Sequence, residues 1–357
     1  MIIKSSSKNY EVHIEKDLRF FSSLKQLNNT FFVVDQVIYD LYLDQLFMDI
    51  PENRLFKIVA IEENKTIETA LTLCEVMMSM SAKRNTHMIS IGGGIIQDIT
   101  GFAANVLYRG INWTYIPTTL LAASDSCIGG KTSLNYKKYK NLLGTFFPPD
   151  AIYITSEFFK TLSVRDYKSG LGEIVKFGII SGIDGLERIE DKIDVLVERD
   201  QANLDEFVER SLLFKKSFIE VDEFDRGIRV LLNFAHTFGH AFESISDYRI
   251  PHGSAVAMGM LVANRISLGR GLLAENLVKR IEAVLQKIIL NELVPVSIDM
   301  NRVDQAIRKD KKQIDTDLTG VLLHDDMRLS VYHDLQKNEI DRAFQYVIDY
   351  LRKGTQA

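Results

Sequence analysis

Cysteine is nearly absent: 357 residues contain only Cys74 and Cys127. Two thiols build neither a disulfide framework nor a thiolate metal site, and a reducing compartment fits that usage. Positive charge is not in excess either. Lys and Arg number 43 against 48 Asp and Glu, a net charge of −5. This argues against a nucleic-acid partner, whose binding would draw largely on phosphate neutralisation, although local basic clusters still suit small anions. No apolar run approaches the ~20 residues of a membrane span, so no membrane partner is expected. The N-terminus lacks a basic segment followed by a long apolar stretch, so no signal peptide is expected and a cytoplasmic location is. No internal repeat and no low-complexity linker interrupts the chain.

What is present is ordinary for a soluble globular protein, at 46% hydrophobic and 25% charged. The length exceeds one compact core and predicts two domains, cut here as 1–157 and 158–357. In the first, short apolar runs alternate with helical stretches. FFVVD (31–35), LFKIVAI (55–61), HMISI (87–91), WTYIP (113–117) and AIYIT (151–155) read as strands, and Ile67–Met80 as a helix. That alternation predicts an α/β layer with a largely parallel sheet. Beyond Ser156, amphipathic stretches dominate, such as Leu171–Ile180, Leu204–Val221 and Asn276–Ile289, and strand signals become rare. A mainly α-helical second domain is the simplest reading.

Histidine is scarce but clustered: three of the seven, His236, His240 and His252, fall in LLNFAHTFGHAFESISDYRIPHGSAVAMGM, residues 231–260. His236 and His240, four apart on a helix, share a face. Imidazole is both a common ligand for zinc-like metals and a near-neutral acid or base. Packed core histidines are the bland alternative. In LGEIVKFG (171–178), Glu173 stands in an otherwise apolar helix with Lys176 one turn on. A buried acid is costly unless it is paired or binds a metal, although a surface ion pair would also read this way. Lys215 and then Arg229 and Asn233 lead into the histidine segment, so a guanidinium beside a metal suggests an anionic substrate.

Two glycine-rich segments follow strands. HMISI runs into Gly92-Gly93-Gly94 and then IIQDITGF, a turn that presents backbone N–H groups at a helix N-terminus and suits pyrophosphate. The glycines do not follow G-x-G-x-x-G, and a tight turn is an equal reading. Glu62 and Lys65, just after another strand, offer further polar contacts to a nucleotide. The second segment, Ile116–Gly144, holds Asp125, Gly129, Gly130, Lys131, Asn135, Lys140 and Asn141. Its GGKT is not a P-loop, because Asp125 stands where the first glycine is required. Lys131, embedded among glycines and small residues, is expected to approach a ligand rather than bulk water.

GGGIIQDITGF, YRG, IPTTLLAASDS, GGKTSLN, KNLLG, LGEIVKFG, RVLLNFAHTFGHAFE and HGSAVAMGM together resemble the 3-dehydroquinate synthase family in order and spacing, from about Glu62 to about Lys312. The resemblance implies an N-terminal NAD-binding α/β domain, a C-terminal helical metal domain, a bound divalent metal (usually zinc, with cobalt as an alternative) and a homodimer. By position, it implies Glu173, His236 and His252 as metal ligands. That makes His240 a catalytic residue near the phosphate leaving group rather than a ligand, with Asp125 at the reacting ring. Lys131, Lys140, Asn141, Lys176, Lys215, Arg229 and Asn233 match substrate positions, and Lys131, Lys176 and Asn233 also count as catalytic. Arg109 of YRG would reach the substrate phosphate of a neighbouring subunit, and Lys312 would add a phosphate contact. Asp35, Glu62, Lys65, Gly93, Gly94, Asp98, Thr118, Thr119, Lys140 and Thr161 match NAD positions.

The reaction so implied is cyclisation of a small-molecule sugar phosphate, 3-deoxy-D-arabino-heptulosonate 7-phosphate, to 3-dehydroquinate with phosphate elimination and no net consumption of NAD. The implied setting is the shikimate pathway of aromatic amino acid biosynthesis. Related cyclases that make 2-deoxy-scyllo-inosose or epi-valiolone take substrates without a carboxylate. The R-x-x-x-N pattern of Arg229 and Asn233, with Lys215, favours the carboxylated substrate. Gln97, Ser133, Ala235 and Ser254 depart from the family's usual small residue, glycine, glycine and glutamate, and AASDS leans towards the inosose synthases. An iron-type alcohol dehydrogenase and a catalytically dead ligand-binding protein are the readings outside this class. The lysine-rich phosphate positions count against the first, and the retained site residues against the second.

Overall fold

The computed structural model describes residues 1–137, 139–294, 297–309 and 318–353. They form two compact units: Met1–Leu162 with Lys216–Phe224, and Ser163–Lys215 with the chain from Asp225 onward. The first unit thus extends past residue 157 and takes in a short segment from much later in the sequence.

The first unit is built on strands β1 (Ile2–Ile3), β2 (Tyr10–Ile14), β3 (Thr30–Asp35), β4 (Leu55–Ile58), β5 (His87–Gly92), β6 (Trp113–Pro117), β7 (Lys131–Tyr136), β8 (Tyr139–Phe146) and β9 (Ala151–Ile154). Its helices are α1 (Phe21–Gln26), α2 (Gln36–Tyr42), α3 (Ile67–Ser79) and α4 (Gly94–Val106). Seven strands make one sheet in the order β1-β2-β9-β6-β5-β3-β4, parallel except for β1 on β2. Phe31, Phe32, Val33 and Val34 are buried, as are Met88, Ile89 and Ile91, so the central strands are near-continuous apolar runs. That is the pattern of a parallel sheet covered on both faces. From β3 the chain goes outward to β4, then crosses back to β5 on the other side of β3. The gap between the carboxyl ends of β3 and β5 is therefore a topological switch point, a usual place for a ligand in an open α/β sheet.

The sequence shows no strand between WTYIP and AIYIT, yet β7 and β8 pair there as an antiparallel hairpin. Thr132 and Leu134 of β7 are buried and alternate with more exposed neighbours, and β7 packs on α4.

The second unit contains α5 (Val164–Ile180), α6 (Ile183–Val197), most of α7 (Gln201–Ile219), α8 (His236–Ile245), α9 (His252–Gly269), α10 (Glu275–Ile288), α11 (Met300–Arg308) and α12 (Lys337–Lys353). One antiparallel pair, β10 (Leu318–Leu323) and β11 (Leu329–Leu335), joins them. Ser163 starts α5 with a reciprocal cap: Asp166 N–H donates to Ser163 Oγ at 3.1 Å, and the hydroxyl donates to Asp166 Oδ2 at 2.7 Å. Helix α9 is apolar on nearly every side and lies among α5, α8, α10 and α12, as an all-round apolar helix must. It packs tightly against the backbone of α5. A Cβ on Gly172 would collide with the Gly253 carbonyl, and one on Gly253 with the Ser169 carbonyl. Glycine at both positions lets the two backbones touch, which brings the next residue of one helix, Glu173, beside the first residue of the other, His252.

Candidate functional site

Glu173 is fully buried on α5 and its neighbour Lys176 is 2% exposed. The two oxygens of Glu173 have different partners. Lys176 Nζ lies 2.5 Å from Oε2, while His236 Nε2 and His252 Nε2 each lie 3.5 Å from Oε1. Lys176 also donates to the Leu232 carbonyl at 3.1 Å, which ties the segment carrying Arg229 and Asn233 to this part of α5.

The donor set suits a divalent cation. A carboxylate oxygen and two imidazole nitrogens from Glu173, His236 and His252 lie within 4.8 Å of one another. Two ligands bound tetrahedrally to zinc at about 2.0–2.1 Å stand roughly 3.4 Å apart, close to the two 3.5 Å separations here. Both rings present Nε2 to the shared oxygen. His236 Nδ1 sits 3.1 Å from the Phe234 carbonyl, and His252 Nδ1 sits 3.5 Å from Glu243 Oε1. Burial alone would lower the His252 pKa, but the Glu243 and Glu173 carboxylates raise it to about 10. The cluster's electrostatics thus favour a positive charge, which a proton or a metal ion can supply.

His240 is on the same face of α8, its ring 5.6 Å from that of His236 and 5.9 Å from that of His252. It belongs to a second group of potential donors, His240, Glu243 and His252. Glu243 is the residue that the sequence reading missed. Positions 236, 240 and 243 fall on one helical face, and that spacing was the available signal. Lys215 and Arg229 are buried cations, 6% and 4% exposed. Asn233 ends the 3₁₀ turn that begins at Ile228.

In the first unit, several of the residues matched to NAD lie at or just past the carboxyl ends of the parallel strands. Asp35 ends β3 and accepts from Val37 N–H at 3.1 Å, with its carboxyl pushed up by burial. Gly93 follows β5 at the start of α4, where no side chain among the described residues caps the helix, so the positive end of α4 suits a phosphate. Thr118 and Thr119 follow β6, and Thr161 lies at the end of a 3₁₀ turn with its hydroxyl 3.4 Å from that of Tyr42. One polar network joins several of the others. Lys65 Nζ lies 2.5 Å from Asp98 Oδ2 and donates to Asn141 Oδ1 at 2.7 Å. Asn135 donates to Glu62 Oε1 at 2.8 Å, and Lys140 Nζ stands 3.8 Å from the same oxygen. Burial raises the Asp98 carboxyl, opposed chiefly by Lys65.

Two departures from the family pattern acquire partners here. Ser133 donates its N–H to Asp98 at 2.9 Å, and its hydroxyl lies 3.0 Å from both Asp98 and Asn141. Gln97 and Ser126 form a reciprocal pair, Nε2 to the Ser126 carbonyl and the Ser126 hydroxyl to Oε1, each at 2.8 Å, next to Asp125. Lys131 is exposed at the start of β7, directly after Gly130. Arg109 is also exposed, in a left-handed turn with positive φ at Tyr108, Arg109 and Gly110. Lys312 lies outside the described residues.

Residues 55–169 match the model of the 3-dehydroquinate synthase N-terminal region and residues 170–313 that of the C-terminal region. A 3-dehydroquinate synthase of Clostridium tetani is 37% identical over 95% of this chain and 93% of its own length. The chain belongs to the 3-dehydroquinate synthase family. A synthase of Campylobacter jejuni is similar at 35% identity over 95% of this chain and 97% of its own. Among solved structures, the 2-epi-5-epi-valiolone synthase ValA of Streptomyces hygroscopicus, with NAD+ and Zn2+ bound, is similar with a TM-score of 0.85 and 25% identity. It matches over 97% of this chain and 99% of that one. An iron-containing alcohol dehydrogenase from Thermococcus thioreducens shares the fold at a TM-score of 0.66 and 11% identity, over 95% and 98% of the two chains. Family membership makes this chain an enzyme, a phosphate-eliminating sugar phosphate cyclase. Among the described residues, no helix is long and apolar enough to cross a membrane.

Proposed function

We propose that this enzyme converts 3-deoxy-D-arabino-heptulosonate 7-phosphate to 3-dehydroquinate, in the cytoplasm and as a homodimer, within the shikimate pathway. The observation that carries the reading is the metal-ready triad of Glu173, His236 and His252, with both imidazole Nε2 atoms turned to one carboxylate oxygen. When bound, NAD+ supplies a hydride acceptor that is regenerated within the cycle, and zinc or cobalt supplies a Lewis acid at the substrate hydroxyl. The protein's own residues do the rest. Lys176, Lys215 and Arg229 are cations already buried, so they meet an anionic substrate without first shedding a full hydration shell. Arg229 and Asn233 serve the carboxylate, and Lys131, Lys140, Asn141 and the DKK-type Lys312 serve the phosphate. His240 exchanges a proton near the leaving phosphate, and Asp125 faces the reacting ring. Asp35, Glu62, Lys65, Gly93, Gly94, Asp98, Thr118, Thr119, Lys140 and Thr161 hold the dinucleotide. Arg109, exposed on its left-handed turn, suits a reach to the partner subunit's substrate.

The test is phosphate release by purified enzyme with NAD+ and Zn2+ over a panel of C6–C7 sugar phosphates. The carboxylated heptulosonate should react fastest, with no accumulation of NADH. Faster release from glucose 6-phosphate would move the assignment to the inosose branch, and NADH formed in step with turnover would mark a dehydrogenase.

A further inference from the structure

Position 254, where the family carries an acid beside a metal histidine, holds a serine that is 2% exposed and whose hydroxyl has no hydrogen-bond partner among the described residues. It does not hold His252. The carboxylate that faces the Nδ1 side of this ring comes from another helix, α8. Glu243 Oε1 is 3.5 Å from His252 Nδ1, and Glu243 Oε2 is 3.9 Å from His240 Nε2. We propose that Glu243 is the positioning residue of the metal centre. It accepts the Nδ1–H of His252, which leaves Nε2 as the metal donor, and with its second oxygen it sets the place of His240.

The two ligand histidines are then fixed by the same device with different acceptors: the Phe234 carbonyl for His236 and the Glu243 carboxylate for His252. An imidazole whose Nδ1–H is held by an acceptor is locked in tautomer and ring orientation and is a more basic ligand. A charged acceptor does more of this than a carbonyl. Because α8 carries His236, His240 and Glu243 on one face, the same rigid turn places one ligand, the clamp of the other ligand and the acid–base histidine. A second metal ion held by His240, Glu243 and His252 is the competing reading of these contacts. It would require His252 to bridge two ions as an imidazolate.

The inference rests on the proposed metal site, and the experiment separates the two. The enzyme is stripped with a chelator and its Zn2+ affinity is measured by competition with a chromophoric chelator at fixed pH, together with the number of ions bound per chain. Glu243→Ala is expected to lose about 10- to 100-fold in affinity. Glu243→Gln, whose amide oxygen still accepts from Nδ1–H, is expected to recover most of it, and Ser254→Ala to match the unaltered enzyme. Unchanged affinity in Glu243→Ala, a Gln variant no better than the Ala variant, or two ions per chain would overturn the proposal. Glu173→Gln reports on the underlying site: if it binds Zn2+ normally, the site itself fails, whereas its loss beside a normal Glu243→Ala sinks only the role of Glu243.

Discussion

Ala235, immediately before His236, has φ 71° and ψ −21°. A side chain in this left-handed region costs about 1 kcal/mol or more, because Cβ crowds the following carbonyl. The family's usual glycine would avoid that cost. Ala235→Gly is expected to stabilise the protein by about 1 kcal/mol, partly offset by the freer unfolded chain, and a urea midpoint shifted upward would show it. Unchanged or lower stability would mean that the surrounding turn relaxes around the methyl group. The same scale shows how far a local reading reaches. The four-residue spacing of His236 and His240 placed both on one helix face, but spacing alone favoured them as joint ligands. Pairing His236 with His252 and Glu173 depends on the contact between α5 and α9 at Gly172 and Gly253, a tertiary fact with no local signal. Glu243 was legible from its spacing, yet its use depends on where His252 falls.

Between elements, Arg270 is the clearest connector in the helical unit. Just past α9, its guanidinium grips Glu339 at the start of α12 with two hydrogen bonds, of 2.9 and 2.6 Å, and Asp334 near the end of β11 with two, of 2.8 Å to the carboxylate and 3.1 Å to the backbone carbonyl. Burial alone would raise the Glu339 carboxyl, but Arg270 and the Gln336 N–H hold it below its usual range. A lowered acid contributes stability above its unfolded pKa and loses that contribution as pH falls through its folded pKa. Arg270→Ala should therefore cost about 1–2 kcal/mol at neutral pH, and the gap from the unaltered protein should close in acid. A gap independent of pH, in denaturant melts across that range, would assign the loss to packing on Tyr332 instead, whose ring lies 5.3 Å from the guanidinium. At this scale, strands marked by short apolar runs were legible, among them Thr30–Asp35 and His87–Gly92. The β7–β8 hairpin was not. Its inward residues Thr132 and Leu134 alternate with Lys131, Ser133 and Asn135, and β8 is largely exposed, so no apolar run marked either strand. Once β7 is a strand, Ser133 and Asn135 fall on one side of it and enter the network of Asp98 and Glu62.

Over the whole molecule, the change from βα alternation to long amphipathic helices predicted an α/β layer followed by helices, and both are present. The composition could not show that residues 216–224 return to the first unit. Glu220 accepts from Lys4 N–H at 2.8 Å, and Glu223 from Ser5 and Ser6, which anchors that segment against the N-terminus. Such long-range pairing leaves no periodic trace. Each unit carries one set of site residues: an open helix N-terminus at a sheet switch point in one, and an acid with two imidazoles in the other. The proposed chemistry requires the second set to bind a metal ion. Its most direct measurement is the metal content of the purified protein by elemental analysis, for the unaltered chain and for Glu173→Gln and His252→Ala. About one divalent ion per chain in the unaltered protein and almost none in either variant is the expected result; full occupancy in both variants would contradict it.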